Sequence, residues 1–280
     1  MYRHVFPERL VAAIKRRPVL HRAARRVRAA AGSRLAPREF PGIPGRIHPN
    51  DFMFDHGSPE EIASYAERAR NVLANIDAAL EAGGRTFEEV ERWLDFGCGY
   101  GRVIRFLVRR VPADRIWASD VVREGVGFCS SEFGVNPHHS RPDLDALDLE
   151  PFDFIYAISV LSHLNERNSR AFLRHLGDAL RPGGIAMFTT HGRHSVEHPE
   201  LYGAQFAERR EDIGRAVRAH GMTFLPYEYT GGEDYGMAWH AREWVEATVA
   251  ELHGDLLRVV RFVPRGLDGH QDVFAFQRVG

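Results

Sequence analysis

Asp95, Gly97, Gly99 and Gly101 stand at alternate positions, and a further acid, Asp120, follows at the end of a short apolar run. Glycine lacks a Cβ and enters backbone angles closed to other residues, so a nucleotide-like ligand can lie directly against such a loop. A carboxylate placed like Asp120 can take both hydroxyls of a ribose. Proton transfer is the second chemistry on offer. Three of the fifteen histidines, His163, His191 and His270, sit at the ends of apolar runs, and imidazole is the side chain whose ordinary pKa suits a base near neutrality.

The elements that must position these groups are legible as alternating strands and helices. Residues 93–96 read as a buried strand that ends in the glycine loop. Residues 102–110, with Val103, Ile104, Leu107 and Val108 at helical spacing, predict a helix whose first N–H groups face that loop. Residues 115–120 form a second strand. The run 152–159 is too continuously apolar for a half-exposed strand and reads as central and parallel. A helix over 166–180 follows, then a breaker at Arg181, Pro182, Gly183 and Gly184, a strand over 185–190, and a terminal hairpin of 256–263 and 271–278 turning through Pro264, Arg265 and Gly266.

In a G-x-G-x-x-G dinucleotide loop the third glycine would come one residue later. The D-x-G-x-G-x-G spacing here resembles motif I of the class I S-adenosylmethionine-dependent methyltransferases. Three later segments are similar to that family in the same order: the run 152–159 to its strand four, Val160-Leu161-Ser162-His163-Leu164 to the element after it, and L-R-P-G-G at Leu180–Gly184 to the approach to strand five. The resemblance covers residues 91–280 apart from an insertion. It implies an α/β fold with a doubly wound, seven-stranded, mostly parallel, Rossmann-like sheet, an N-terminal helical extension and an insertion after strand five. It implies S-adenosyl-L-methionine as cofactor, its methionine end held by Asp95, Phe96, Gly97, Cys98, Gly99 and Gly101. Asp120 and Val121 would serve the ribose, and Asp143 and Leu144 the adenine edge, with Ser159 also on the cofactor side. NAD is the disfavoured alternative.

In such a sheet the ligand lies beyond the carboxyl ends of the parallel strands. His163, His191 and His270, the candidate catalytic residues, all fall on that edge. Gly192 to Trp239 is too long for a plain connection there and reads as a binding or covering insertion. It holds a helix-like stretch over 201–220 and the aromatic residues Phe224, Tyr227, Tyr229, Tyr235 and Trp239, which suit either stacking on an acceptor or a small core of their own. "G-H-Q-D" at Gly269–Asp272 and Tyr235-Gly236 are loosely similar to methyltransferases of glycan and natural-product gene clusters. The expected reaction is O-methylation of a small-molecule, glycan or glycolipid acceptor. N- or C-methylation, and a non-catalytic scaffold of the same fold, are the alternatives. No metal ligand set is expected, because His191, His194 and His198 stand in a glycine- and proline-flanked loop. Nucleic acid is disfavoured as a partner, since Ala157-Ile158-Ser159-Val160 replaces the Asn/Asp-Pro-Pro-aromatic element of base methyltransferases.

Composition sets the remaining bounds. At 280 residues and 44% hydrophobic content, the chain can bury a full α/β core. Its two cysteines supply neither a disulfide framework nor a zinc site. Of 37 Lys and Arg and 38 acids, eleven and one fall in residues 1–38, leaving 26 and 37 to the rest. The leader is basic and the body acidic. Leu10, Ala13, Ile14, Leu20, Ala24 and Val27 form an interrupted apolar stripe among its arginines, with Pro18 breaking a continuous helix, so contact with an anionic membrane surface is open to it. No run is long enough to span a bilayer and no secretory signal is evident, and the expected compartment is the cytoplasm, or the inner face of its membrane. Residues 1–46 read as leader and linker, 47–90 as a helical lid opened by Ser58, Pro59 and Glu61, and 91–280 as the catalytic domain.

Overall fold

The computed structural model describes residues 18–39, 41–51, 53–54, 58–227 and 234–280. The chain divides into two units, Met1–Ala69 and Arg70–Gly280.

In the first unit the helix Pro18–Glu39 begins on the proline, whose missing N–H costs nothing in a first turn. The apolar stripe of the leader upstream of Pro18 lies outside the described residues. Ala29, Gly32 and Ala36 recur along the buried side of this helix. A Cβ on Gly32 would stand 2.4 Å from the ring of Phe54, so the glycine lets that ring reach the helix backbone. Tyr65 meets Phe54 edge-on and donates its hydroxyl to Asp51 at 2.9 Å. The helix Pro59–Ala82 starts where Ser58 Oγ accepts the Glu61 N–H at 3.2 Å, the cap expected from its sequence.

The second unit carries the sheet. Its strands are β1 (Trp93–Phe96), β2 (Ile116–Asp120), β3 (Asn136–His139), β4 (Phe152–Ala157), β5 (Leu180–Thr190), β8 (Leu257–Leu267) and β9 (Gln271–Arg278), in the order β3-β2-β1-β4-β5-β9-β8. The first five run parallel, and β9 pairs antiparallel with both β5 and β8. Every residue of β1 and β4 is buried, the pattern of strands covered on both faces. The reversal of strand order at β1 places the carboxyl ends of β1, β2 and β4 around one crevice, the edge where the glycine loop emerges.

Several elements differ from the sequence reading. The expected helix over 102–110 is one turn, Ile104–Leu107. Phe106, Arg109 and Arg110 donate to the carbonyl three residues back, and such tight bonds close turns. The expected breaker before strand five is a bulge inside β5: the register shifts between Phe152 and Phe154, while Gly183 takes φ +76° and Gly184 lies too close to the Arg181 carbonyl for a side chain. The hairpin does not turn at Pro264. β8 runs through that segment with a register shift and turns at Asp268 and Gly269, both at positive φ.

The insertion folds as a small layer of its own. The helix expected over 201–220 is broken into a 3-10 turn Pro199–Tyr202 and the helices Ala204–Ala207 and Arg210–His220, because Gly203 takes φ +138°. Strands β6 (Met222–Pro226) and β7 (Gly236–His240) pair antiparallel as a separate sheet. Phe206, Ile213, Val217, Met237 and Trp239 form its core. The aromatic run divides: Trp239 is fully buried in this core, while Tyr235 is 48% exposed. Tyr229 lies outside the described residues. Residues 193–197, expected as loop, are a short helix, and the His194 ring on it stands 4.5 Å from that of His198 just past its end.

Candidate active site

The glycine loop is turned back over β2 by two bonds, from the Gly97 and Cys98 N–H groups to the Ser119 carbonyl at 2.7 and 3.0 Å. Gly97, Gly99 and Gly101 all take positive φ, the left-handed region that excludes most side chains. Their surroundings differ. A Cβ on Gly97 would strike Val160, and one on Gly101 would strike Phe133, whereas at Gly99 it would meet nothing within 4 Å. Of the three glycines, Gly99 is thus the one with open space around its Cβ position. From the helix Arg123–Phe133, Gly125 comes so near that a Cβ there would stand 2.3 Å from the Gly99 carbonyl oxygen.

Asp120 is built into this loop. Its two carboxylate oxygens accept the Gly99 and Val122 N–H groups, each at 2.8 Å. One residue thus holds the glycine loop and the turn that follows β2. Asp95 is 4% exposed and accepts the Tyr156 hydroxyl at 2.9 Å. Burial pushes its carboxyl up to about 7, against the Tyr156 bond and with a smaller push from the nearby Asp120 charge. Cys98 and Cys129 both turn their thiols to the Gly99 carbonyl, at 3.6 and 3.8 Å.

The other residues expected on the cofactor side divide. Phe96 and Leu144 put their side chains into the main hydrophobic core. Asp143 caps the 3-10 turn Leu144–Ala146 by accepting the Asp145 N–H, and Val121 is 52% exposed. Ser159 takes φ +57°, unusual for a residue with a side chain. It is held there by its N–H bond to Thr189 Oγ1 at 2.8 Å and by contact with the Gln271 amide at 2.9 Å.

Beyond β4 and β5 the imidazoles come together. His163 lies on the 3-10 turn Leu161–His163, and His191 directly follows β5. Their ring centroids are 6.3 Å apart at 80°. His163 Nδ1 stands 2.8 Å from the Gly236 carbonyl and His191 Nδ1 3.1 Å from the Ala238 carbonyl. A carbonyl only accepts, so each Nδ1 carries the proton and each Nε2 is the acceptor nitrogen. Burial lowers the His163 pKa and drives that of His191 well below the usual range, with His163, His270 and His240 adding to the latter effect and the Ala238 bond opposing it. Both rings are therefore neutral bases at neutral pH.

His270 belongs to the same neighbourhood but is separated from His191 by an aromatic ring. Tyr202 lies 4.0 Å from His191 and 5.8 Å from His270, centroid to centroid. Tyr227 and Tyr235 pack on His163, the latter stacked at 5.3 Å. His191 is 2% exposed, whereas His163 is partly exposed beside the open Tyr235. The sequence reading missed Tyr202, which falls inside the stretch expected as uniform helix. It also missed Tyr156, and it noted Gln271 only within the G-H-Q-D segment and gave it no role; both matter through long-range contacts. Among the described residues no three His, Cys, Asp or Glu side chains gather in a way that would hold a metal ion.

Residues 65–230 match the family model described as a methyltransferase domain. The fold is shared with three solved structures. Human N-acetylserotonin methyltransferase in complex with SAM has a TM-score of 0.51 and 13% identity over 78% of this chain and 53% of that one. An O-methyltransferase family protein from Burkholderia thailandensis gives 0.50 and 14% over 78% and 59%. The PH0226 protein from Pyrococcus horikoshii OT3 gives 0.51 and 14% over 76% and 91%. This chain thus spans little more than half the length of the first two. No curated protein matches it.

Proposed function

From the premise that this chain belongs to the S-adenosylmethionine-dependent methyltransferases, we propose that it methylates a hydroxyl oxygen of a small-molecule, glycan or glycolipid acceptor, with His163 as general base. When bound, S-adenosylmethionine supplies an electrophilic methyl group on a sulfonium. The residues present fit it: Gly99 offers bare backbone where a Cβ would meet nothing, and Asp95 and Asp120 set two carboxylates beside that backbone.

The observation that carries the reading is the tautomer of the paired imidazoles. A hydroxyl acceptor loses one proton for each methyl gained, and both Nε2 atoms are lone-pair acceptors because strand β7 takes both Nδ1 protons. Exposure favours His163 over His191. The captured proton must leave to water before the next turnover, and of the two paired rings only His163 has a partly open face. Such a base contributes roughly 10²–10⁴-fold. The side chains around the pair are imidazoles, phenols and indole, neutral groups suited to stacking on a sugar face or an aromatic ring. His191 stands behind the base as a positioning residue.

The test is a screen of hydroxyl and amine acceptors, beginning with sugars and glycolipids, in which the product is identified by mass and fragmentation. A methyl ether as product supports the reading. Methylated nitrogen or carbon from the preferred acceptor overturns it.

We further propose that the helix Pro18–Glu39 lies against anionic membrane. Its single acid is its last residue, and it exposes Val27 at 69% beside the exposed Arg26 and Arg34. Among the described residues no helix is long and apolar enough to cross a membrane.

A further inference from the structure

The insertion contributes one ring, that of Tyr202, which residue type and spacing do not single out. Tyr202 closes the 3-10 turn Pro199–Tyr202, and the chain reverses immediately after it at Gly203, whose φ of +138° is open to glycine. Its ring lies 4.0 Å from that of His191, inclined at 39°, with Trp239 edge-on behind it at 6.5 Å.

The hydroxyl of Tyr202 is also committed. It stands 2.6 Å from Ser195 Oγ, which in turn stands 2.7 Å from the His270 carbonyl. The carbonyl only accepts, so the Ser195 proton points to it and Ser195 Oγ must accept the proton of Tyr202. Ser195 itself is fully buried and anchored by the Trp239 Nε1–H bond to its carbonyl at 3.2 Å. Its helix seats against β9 because residue 192 is glycine: a Cβ there would overlap the Asp272 carboxylate at 1.8 Å.

We propose that Tyr202 is a positioning residue, its ring closing over the His191 imidazole and latched through Ser195 to the His270 carbonyl so that water is kept from that side of the imidazole pair. The inference rests on His163 as base and gives the insertion a part in that step. A protonated His191 would place a like charge 6.3 Å from His163 and weaken it as a proton acceptor. Burial, to which the Tyr202 ring contributes, holds His191 neutral. The groups facing His191 are His163, His270, His240, Tyr202, Trp239 and the Ala238 carbonyl. A carboxylate, Asp272, lies beside Gly192 and acts on Tyr202, but the groups that face His191 carry no negative charge that would offset the loss of water. Tyr202 is not itself the base, since burial pushes its phenol up, away from ionisation.

The test needs no acceptor. Histidine ring signals are followed by NMR across pH in the full chain with bound S-adenosylhomocysteine, for the wild type and for Tyr202→Ala, Tyr202→Phe and Ser195→Ala. His253, buried elsewhere and bonded to the Leu173 carbonyl, is the internal reference. The wild-type His191 signal should stay that of the neutral ring through about pH 5 to 8. Tyr202→Ala should raise the His191 midpoint by about one unit or more, since the ring regains water. Tyr202→Phe and Ser195→Ala cut only the latch and should move it the same way by less, and they carry the test if the alanine variant does not fold. An unmoved His191 in these variants overturns the proposal, as does a shift shared by His253, which would mean general loosening. Because methyl transfer is not read, a failure here stays distinct from a failure to find an O-methylated product.

Discussion

His163 and His191 hang from two carbonyls of one strand, those of Gly236 and Ala238, and meet edge to face with centroids 6.3 Å apart. Residues two apart on a strand point their groups to the same side. A single element of the insertion thus fixes the tautomers of both rings, although the histidines themselves belong to the loops of the main sheet.

If His163 is the base, His163→Ala lowers turnover about 10²-fold or more while S-adenosylhomocysteine affinity stays within about twofold. The neutral ring is the active form, so activity holds as pH falls until it crosses a midpoint below the ordinary imidazole value of 6.5, the direction burial imposes. Steady-state rates across pH, with cofactor affinity by calorimetry, check both; an acid limb at or above 6.5 would remove His163 from the role.

Asp95 links cofactor binding to pH. The folded carboxyl keeps its proton up to about 7, against an ordinary value of 3.8. Its contribution to stability is therefore full below 3.8 and is lost as pH rises through about 7. A cationic ligand favours the ionised carboxylate, so S-adenosylmethionine should bind with release of up to about one proton below pH 7 and tighten as pH rises to that point. Calorimetry in buffers of different ionisation enthalpy measures the proton directly, and Asp95→Asn should abolish it.

Gly99→Ala separates folding from binding. An alanine at φ +53° with open space around its Cβ costs roughly 1–2 kcal/mol of strain, so the fold survives with a lowered melting temperature. The methyl occupies the ligand side, and S-adenosylhomocysteine affinity should fall at least about tenfold. Gly125→Ala instead drives a Cβ to 2.3 Å from the Gly99 carbonyl oxygen and should cost more stability than Gly99→Ala, as well as affinity. Melting curves with and without ligand distinguish the two.

The basic helix predicts salt-sensitive binding of the full chain to vesicles of anionic lipid and none to vesicles of phosphatidylcholine. Reversing Arg26 and Arg34 to Glu removes attraction worth about 1 kcal/mol per charge and adds repulsion, so binding should drop at least about tenfold. Equal sedimentation of wild type and double variant would end the membrane assignment.

Much of the glycine loop was legible because its signals are local. Positive φ calls for glycine at particular positions, and Gly97, Gly99 and Gly101 announce themselves whatever surrounds them. Continuous apolar runs likewise marked β1 and β4 as strands covered on both faces. Phe96 directly precedes this loop in sequence, yet its side chain turns into the core, because alternation in a strand sends neighbours to opposite sides.

The amino-acid sequence by itself determined the strands of the sheet other than β3, the glycine loop and the acids beside it, since each depends on residue type and short spacing. Tertiary structure alone decided which histidine is reachable, which nitrogen of each ring carries its proton, and that Tyr202 stands between His191 and His270. Those facts rest on contacts such as His163 with Gly236 and His191 with Ala238, 73 and 47 residues apart. Separations of that length leave no periodic trace in the chain, because they are set by how an independently folded insertion packs against the end of the sheet.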